Sequence, residues 1–192
     1  LDEQTRRNLD TAQTQASQLA VLISDLVDVV RLQTGRLQLN RTDTDLRLVV
    51  RGSVDAARAM AGEQEIVVEL PEDEPVAASV DQVRIQQVLM NLLVNAITHA
   101  EGSPHIDVRL RRDDGVAEIQ VEDYGPGIPG DERERIFSRF FQLEREAGKR
   151  GAAAGLGLGL FICREIVVAH GGTIDVTTAD GAGTAFTIRL PR

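Results

Sequence analysis

Val121-Glu-Asp-Tyr-Gly-Pro-Gly127 sets an acidic side chain and two glycines at the end of an apolar run. It continues Val116-Ala-Glu-Ile-Gln-Val121, where apolar and polar residues alternate with the period of a half-buried strand. An acidic side chain at the end of an apolar strand, followed by two glycines that let backbone come close to a ligand, suits reading a base edge and admitting a nucleotide. A second cluster, Gly155-Leu-Gly-Leu-Gly159, runs into an apolar helix predicted over 160–170. Backbone N–H groups and the helix dipole at such an N-terminus favour phosphate, although close helix packing also explains glycines there. It is not a P-loop, because no Gly-Lys-Ser/Thr follows, and no strand leads directly into it as a dinucleotide fold requires.

Working outward, the strand over 116–121 pairs with one over 105–111 through Asp113-Asp-Gly115, a hairpin signal. Ser79-Val-Asp81 introduces a helix over 82–100 with Val83, Val88, Leu89, Leu92 and Ala96 directed inward. Asn91 and Asn95 are four apart, so they share a helical face and reach one ligand together. A second helix spans 46–61 and stops at Gly62; a strand spans 66–70 and leads into the acidic, solvated turn Pro71-Glu-Asp-Glu-Pro75. Downstream, a short helix is predicted over 131–136, then Phe137-Ser-Arg-Phe-Phe141, then a mobile loop over 142–154. Strands over 173–177 and 184–190 close the chain. The fold class is α+β: a two-layer α/β sandwich, a mixed sheet of about five strands on three helices, preceded by one long helix.

That first helix carries Leu9, Ala12, Ala16, Leu19, Ile23, Leu26 and Val30 at alternating spacings of three and four, the seam of a helical bundle. Leu22, Val27 and Val29 widen the stripe, so the helix meets more than one neighbour; the plainer alternative is an amphipathic helix lying on its own domain. Gly35 stops it, and Arg36-Leu-Gln-Leu-Asn40 alternates like a short strand. The expected division is residues 1–38, part of a bundle, and residues 39–192, the sandwich. The chain opens on Leu1 instead of Met, the expectation being a segment of a longer protein with membrane spans, if any, upstream.

The 192 residues suffice for one good-sized core, and a net charge of −9 works against nucleic acid or anionic lipid as a partner. The single cysteine, Cys163, lies in an apolar run and reads as a core thiol in a reducing, cytoplasmic setting. No run of eighteen apolar residues exists, since Asp25 and Asp28 break the longest candidate.

Four features occur in one order: Asn91 with Asn95, Asp123-Tyr-Gly-Pro-Gly127, Phe137-Ser-Arg-Phe140, and Gly155 to Gly159. Together they resemble the N, G1, F and G2 boxes of sensor histidine kinases, in the GHKL class of ATP-binding domains; His170-Gly-Gly and Gly183-Thr-Ala-Phe186 match that family's closing segment. The resemblance covers Asp81 to the end.

It implies ATP and Mg²⁺ as cofactors. Asn95 would hold the metal, with Asn91 as a second candidate in the same pocket; Asp123 would accept from the adenine amino group, with Thr184 nearby through water. Gly125, Gly127 and Ile128 would admit the base, and His99 and Phe140 would line the pocket. Gly155, Leu156, Gly157, Leu158 and Gly159 would approach the phosphates, and the loop over 142–154 would be an ATP lid whose Arg145, Lys149 and Arg150 reach them. Thr98 stands where the family often has lysine, leaving more charge compensation to the lid and metal. ATP-hydrolysing relatives carry glutamate where Asn91 stands, and an amide is no general base, so transfer is expected over hydrolysis.

In the family the acceptor is a histidine followed by an acidic residue and then proline. His99, His105 and His170 lack those neighbours, so no catalytic acceptor lies in this segment. Leu1 to Gly35 then resembles the second helix of the dimerisation bundle. The expected partners are a second copy of the full protein and a response regulator receiver domain. A GHKL serine-protein kinase of the anti-sigma type and a non-catalytic nucleotide-binding or dimerisation module are the alternatives.

Overall fold

The computed structural model describes residues 2–35, 37–100, 103, 105–142, 156–178 and 183–192. In chain order the elements are α1 (Glu3–Gln33), β1 (Thr42–Asp45), α2 (Leu46–Arg58), β2 (Glu65–Glu69), β3 (Ala77–Val80), α3 (Gln82–His99), β4 (His105–Asp113), β5 (Val116–Asp123), a 3-10 turn (Arg135–Phe137), α4 (Gly159–Ala169), β6 (Thr173–Thr178) and β7 (Thr184–Pro191). Five strands form one sheet in the order β2-β4-β5-β7-β6, with β2 parallel to β4 and the other pairs antiparallel. β1 and β3 form a separate antiparallel ribbon.

Strand alternation sets the layers. Ala117, Ile119 and Val121 of β5 are buried, as are Ile106, Val108 and Leu110 of β4, and Ile188 and Leu190 of β7. Against them pack Leu46, Val50 and Val54 of α2, Ile85, Leu89 and Leu92 of α3, and Phe161, Ile162 and Ile166 of α4. Removing each such side chain from water contributes about 1.5–3 kcal/mol. The other sheet face is polar: Arg109 bonds Asp107 at 2.6 Å and Glu69 at 3.3 Å, and also pairs with Glu122.

Aspartates start the helices. Asp2, Asp45 and Asp81 each accept from a backbone N–H in the first turn of α1, α2 and α3. Asp81 also accepts from Asn40 N–H at 2.9 Å, and its own N–H donates to Nε2 of His170 at 3.0 Å. Nδ1 of that ring lies 2.8 Å from the Ile166 carbonyl, so a neutral imidazole with its proton on Nδ1 satisfies both contacts. Burial accordingly pushes the His170 pKa below its ordinary value.

α1 docks through its last turns. Asp28 is buried, and its carboxylate accepts from Arg84 at 2.9 and 2.8 Å and from the Gln87 amide at 2.8 Å. Val29 is buried beside it. The seam residues Leu9, Leu19, Ile23, Leu26 and Val30 remain more than half exposed.

Several expectations need correction. Residues 37–40 are not a strand; the ribbon strand is β1, whose partner β3 also went unpredicted because four-residue strands carry almost no periodic signal. α2 ends at Arg58, with Met60 and Ala61 in a turn bonded back to Ala57. The helix expected over 131–136 is a turn followed by the 3-10 segment. Val83 is 72% exposed; Ile85 takes the inward place, since Val83 precedes it by two residues on the opposite face.

Two outcomes follow from these contacts. Asp28→Ala leaves Arg84 without its carboxylate and is expected to weaken the docking of α1 by about 2–4 kcal/mol, read as faster amide exchange over 26–33; unchanged exchange would contradict it. For His170 the folded pKa lies below the unfolded one, so its contribution is complete above about pH 6.5 and is lost as pH falls from there through the folded value. Urea midpoints of the native chain should therefore fall from pH 7.5 to 5.5 more steeply than those of His170→Gln.

Candidate functional site: the end of β5

The site gathers where β5 ends. Asp123 lies opposite Ile106 of β4 and Thr184 of β7, on the helix-covered face, and is buried. Its Oδ1 accepts from Gly125 N–H at 2.9 Å, and the Thr184 backbone N–H across the strands also favours its charged form. Burial raises its pKa; those two backbone donors and the nearby His99 act in the opposite direction. The result is a desolvated carboxylate held in a fixed orientation by backbone donors.

Glycines permit this closeness at two positions in particular. A Cβ on Gly183, whose φ is +84°, would lie 2.0 Å from the Asp123 carbonyl oxygen. A Cβ on Gly125 would lie 2.9 Å from Cα of Ala100, the residue that caps α3. Gly183 before β7 and Gly125 after β5 thus lie flat against their neighbours.

α3 supplies the second wall. Asn91 and Asn95 are both half-buried, and the Asn91 amide donates to the Gly159 carbonyl at 3.4 Å, leaving its Oδ1 available. Behind it the thiol of Cys163 donates to the Val88 carbonyl at 3.7 Å, and burial pushes its pKa up to about 12, so the sulfur packs as a protonated core group. His99 lies exposed at the end of α3, within electrostatic reach of Asp123.

The third wall is the approach to α4. Gly157 has φ +68°, and a Cβ there would lie 2.5 Å from the Phe141 carbonyl oxygen, so this glycine wedges against the aromatic segment. Phe140 has φ +60°, the left-handed region that non-glycine residues rarely adopt, and its side chain is 63% exposed. Phe141 lies under the Arg135 guanidinium at 4.9 Å, and Arg139 lies over Phe161 at 4.7 Å, which fixes the segment on both sides. Leu158 precedes α4 and makes no side-chain cap, so the first-turn N–H groups of α4 receive none from it.

Asp123, Gly125, Thr184 and His99 therefore gather at one corner and Asn91 meets Gly159 at a second place along α3, with Asn95 one turn further on the Asn91 face. Leu158 is a core side chain, 1% exposed, so only its backbone is available; Ile128 is likewise buried, with its N–H bonded to Thr178 Oγ1 at 2.8 Å. Leu156 is exposed. Arg145, Lys149, Arg150 and Gly155 lie outside the described residues. Sequence reasoning missed Ala100 and Thr178. Nothing in the spacing points to either; Thr178 lies one residue beyond the predicted strand, at the end of β6.

Residues 80–192 match the family described as histidine kinase-, DNA gyrase B-, and HSP90-like ATPase, and the chain belongs to it. Within that family it is an ATP-binding catalytic domain of the sensor histidine kinase kind. It is similar over its full length to the sensor histidine kinase MtrB of Mycobacterium tuberculosis, at 32% identity across 193 residues and 33% of that protein. The alginate biosynthesis sensor protein KinB of Pseudomonas aeruginosa is 35% identical, covering 95% of the chain and 30% of that protein. The chain thus spans about a third of these curated relatives. Among solved structures, full-length ShkA in complex with AMPPNP superposes on all of the chain and 39% of its own length, with a TM-score of 0.83 and 26% identity. The mycobacterial sensor histidine kinase MprB covers 79% of the chain and 97% of its own, with a TM-score of 0.67 and 32% identity.

Gly183→Ala is expected to destabilise the chain by about 2–4 kcal/mol in urea unfolding, from left-handed strain and overlap with Asp123. Gly130→Ala, with open space around it and no positive φ, should shift stability by less than about 0.5 kcal/mol. Equal effects would contradict the close approach at Gly183.

Proposed function

We propose that the chain holds Mg-ATP and donates its γ-phosphoryl group to a histidine outside these 192 residues, for relay to a response regulator aspartate. The carrying observation is Asp123: a buried carboxylate at a strand end, opposite Thr184 and oriented by the N–H group of Gly125. An ionised carboxylate only accepts, so it suits the 6-amino group of adenine and repels the carbonyl oxygen of guanine. Thr184 joins through water; Gly125, Gly127 and Ile128 frame the base, with His99 and Phe140 at the pocket wall. Asp81 to His99 and the Leu156–Gly159 approach bracket the phosphates, with Gly155 and the lid cations Lys149 and Arg150 completing the set.

The donor set fits a hard cation. Asn95 is half-buried on the Asn91 face, and Asn91 keeps an amide oxygen unspent. Among the described residues no group of three His, Cys, Asp or Glu side chains converges, and Mg²⁺ takes one or two protein ligands while keeping water and phosphate oxygens. Asn95 would hold the ion, with Asn91 as the second candidate, and the ion when bound would neutralise charge on the transferring group. The chain's own contribution is positioning: Asp123 fixes the base, the α4 N-terminus receives phosphate, and Asn91 offers no base to activate water.

In the whole protein, residues 1–38 would belong to the dimerisation bundle and 39–192 to the catalytic domain, with a second copy meeting the exposed seam of α1. No described helix is long and apolar enough to cross a membrane.

Asp123→Ala is expected to raise the Kd for Mg-ATP roughly tenfold to a hundredfold in calorimetry, the loss of a hydrogen bond to a charged acceptor. The isolated native chain should bind ATP yet take up no label from γ-labelled ATP. A labelled chain, or unchanged affinity in the variant, would overturn the reading.

A further inference from the structure

Thr178, the last residue of β6, is buried, and its hydroxyl meets three groups. Ile128 N–H donates to Oγ1 at 2.8 Å, the hydroxyl donates to the Gly183 carbonyl at 2.8 Å, and Oγ1 of Thr184 lies 3.4 Å away. The Arg133 guanidinium adds a bond to the Thr178 carbonyl. One side chain therefore ties together the segment that follows Asp123, through Ile128, and the residue lying flat on the Asp123 carbonyl, Gly183.

The proton count gives this arrangement a direction. A hydroxyl has one proton, and the Gly183 carbonyl can only accept, so the proton of Thr178 is committed there. In the longer contact with Thr184, Thr178 is then the acceptor and Thr184 the donor. That turns the Thr184 hydroxyl proton inward and leaves its lone pairs for the pocket, beside a carboxylate that is itself an acceptor. Two acceptors on one edge select a donor on the base.

We infer that Thr178 is a positioning residue for base recognition: it clamps the two segments flanking Asp123 and sets the Thr184 hydroxyl as an acceptor toward the base. It does not touch the nucleotide; it acts through Ile128, Gly183 and Thr184. The inference rests on the nucleotide-holding function proposed above, and it concerns selectivity for the 6-amino group over a 6-oxo group.

The test measures Kd for Mg-ATP and Mg-ITP, which differ at that position, on the 192-residue chain and its Thr178→Ser, Thr178→Val and Thr178→Ala forms. Thr178→Ser keeps the hydroxyl and should keep the ATP to ITP ratio within about twofold. Thr178→Val should weaken ATP roughly tenfold and shrink the ratio, because Thr184 becomes free to turn its proton toward the 6-oxo group. Should the valine form fail to fold, Thr178→Ala, which adds no bulk, reads the same ratio. A ratio unchanged in the hydroxyl-free forms, whatever their stability, would overturn the inference, as would a ratio lost equally in Thr178→Ser. Native chain that binds neither nucleotide would sink the proposed function itself, a separate outcome visible before any variant is read.

Discussion

The structure depends on how the end of β5 is closed. Asp123 is buried, and a buried carboxylate is costly unless donors surround it. Gly125 N–H donates to it and the Thr184 backbone favours its charge, an approach allowed by Gly125 packing on Ala100 and Gly183 lying on the Asp123 backbone. Register carries the same constraint: Asp123 faces Thr184 across β5 and β7, and a one-residue slip would turn the carboxylate to the opposite face. Core packing of Ile119 and Val121 fixes that register, so the hydrophobic pattern of β5 decides where the carboxylate points.

α3 links this corner to the rest of the molecule. Asp81 caps its start and is itself tied to His170 at the end of α4 and to Asn40 before β1. Arg84 and Gln87 grip Asp28 of α1, and one turn further along the helix Asn91 reaches Gly159 at the start of α4. At the far end Ala100 seats Gly125. A single helix thus touches α1, the approach to α4 and the Asp123 corner, which places docking of α1 and the geometry of that corner on the same element.

Much of this was legible in the sequence, because long periodic elements and glycine clusters leave local signals. The alternation of Val116 to Val121, the Asp113-Asp-Gly115 turn, and the spacing of Asn91 and Asn95 led to the five-strand sheet and the facing amides. β1 and β3 escaped because four residues cannot establish a period. Val83 misled because an apolar residue near a helix start has no turn before it to confirm its face. Gly125 and Gly183 were legible as glycines, but their partners, Ala100 and the Asp123 backbone, come from distant positions that only folding juxtaposes. Thr178 was illegible for the same reason: its three partners lie at 128, 183 and 184, and a threonine at a strand end looks like any other.

Under the proposed function the corner around Asp123 seats the base of Mg-ATP while the approach to α4 seats its phosphates. The most direct measurement is the change in backbone amide resonances of the chain as Mg-ADP is added. The largest shifts are predicted at Gly125, Ile128, Thr184 and Gly159, with little change across β2 and the β1–β3 ribbon. Shifts centred on those elements instead, or none at saturating nucleotide, would contradict it.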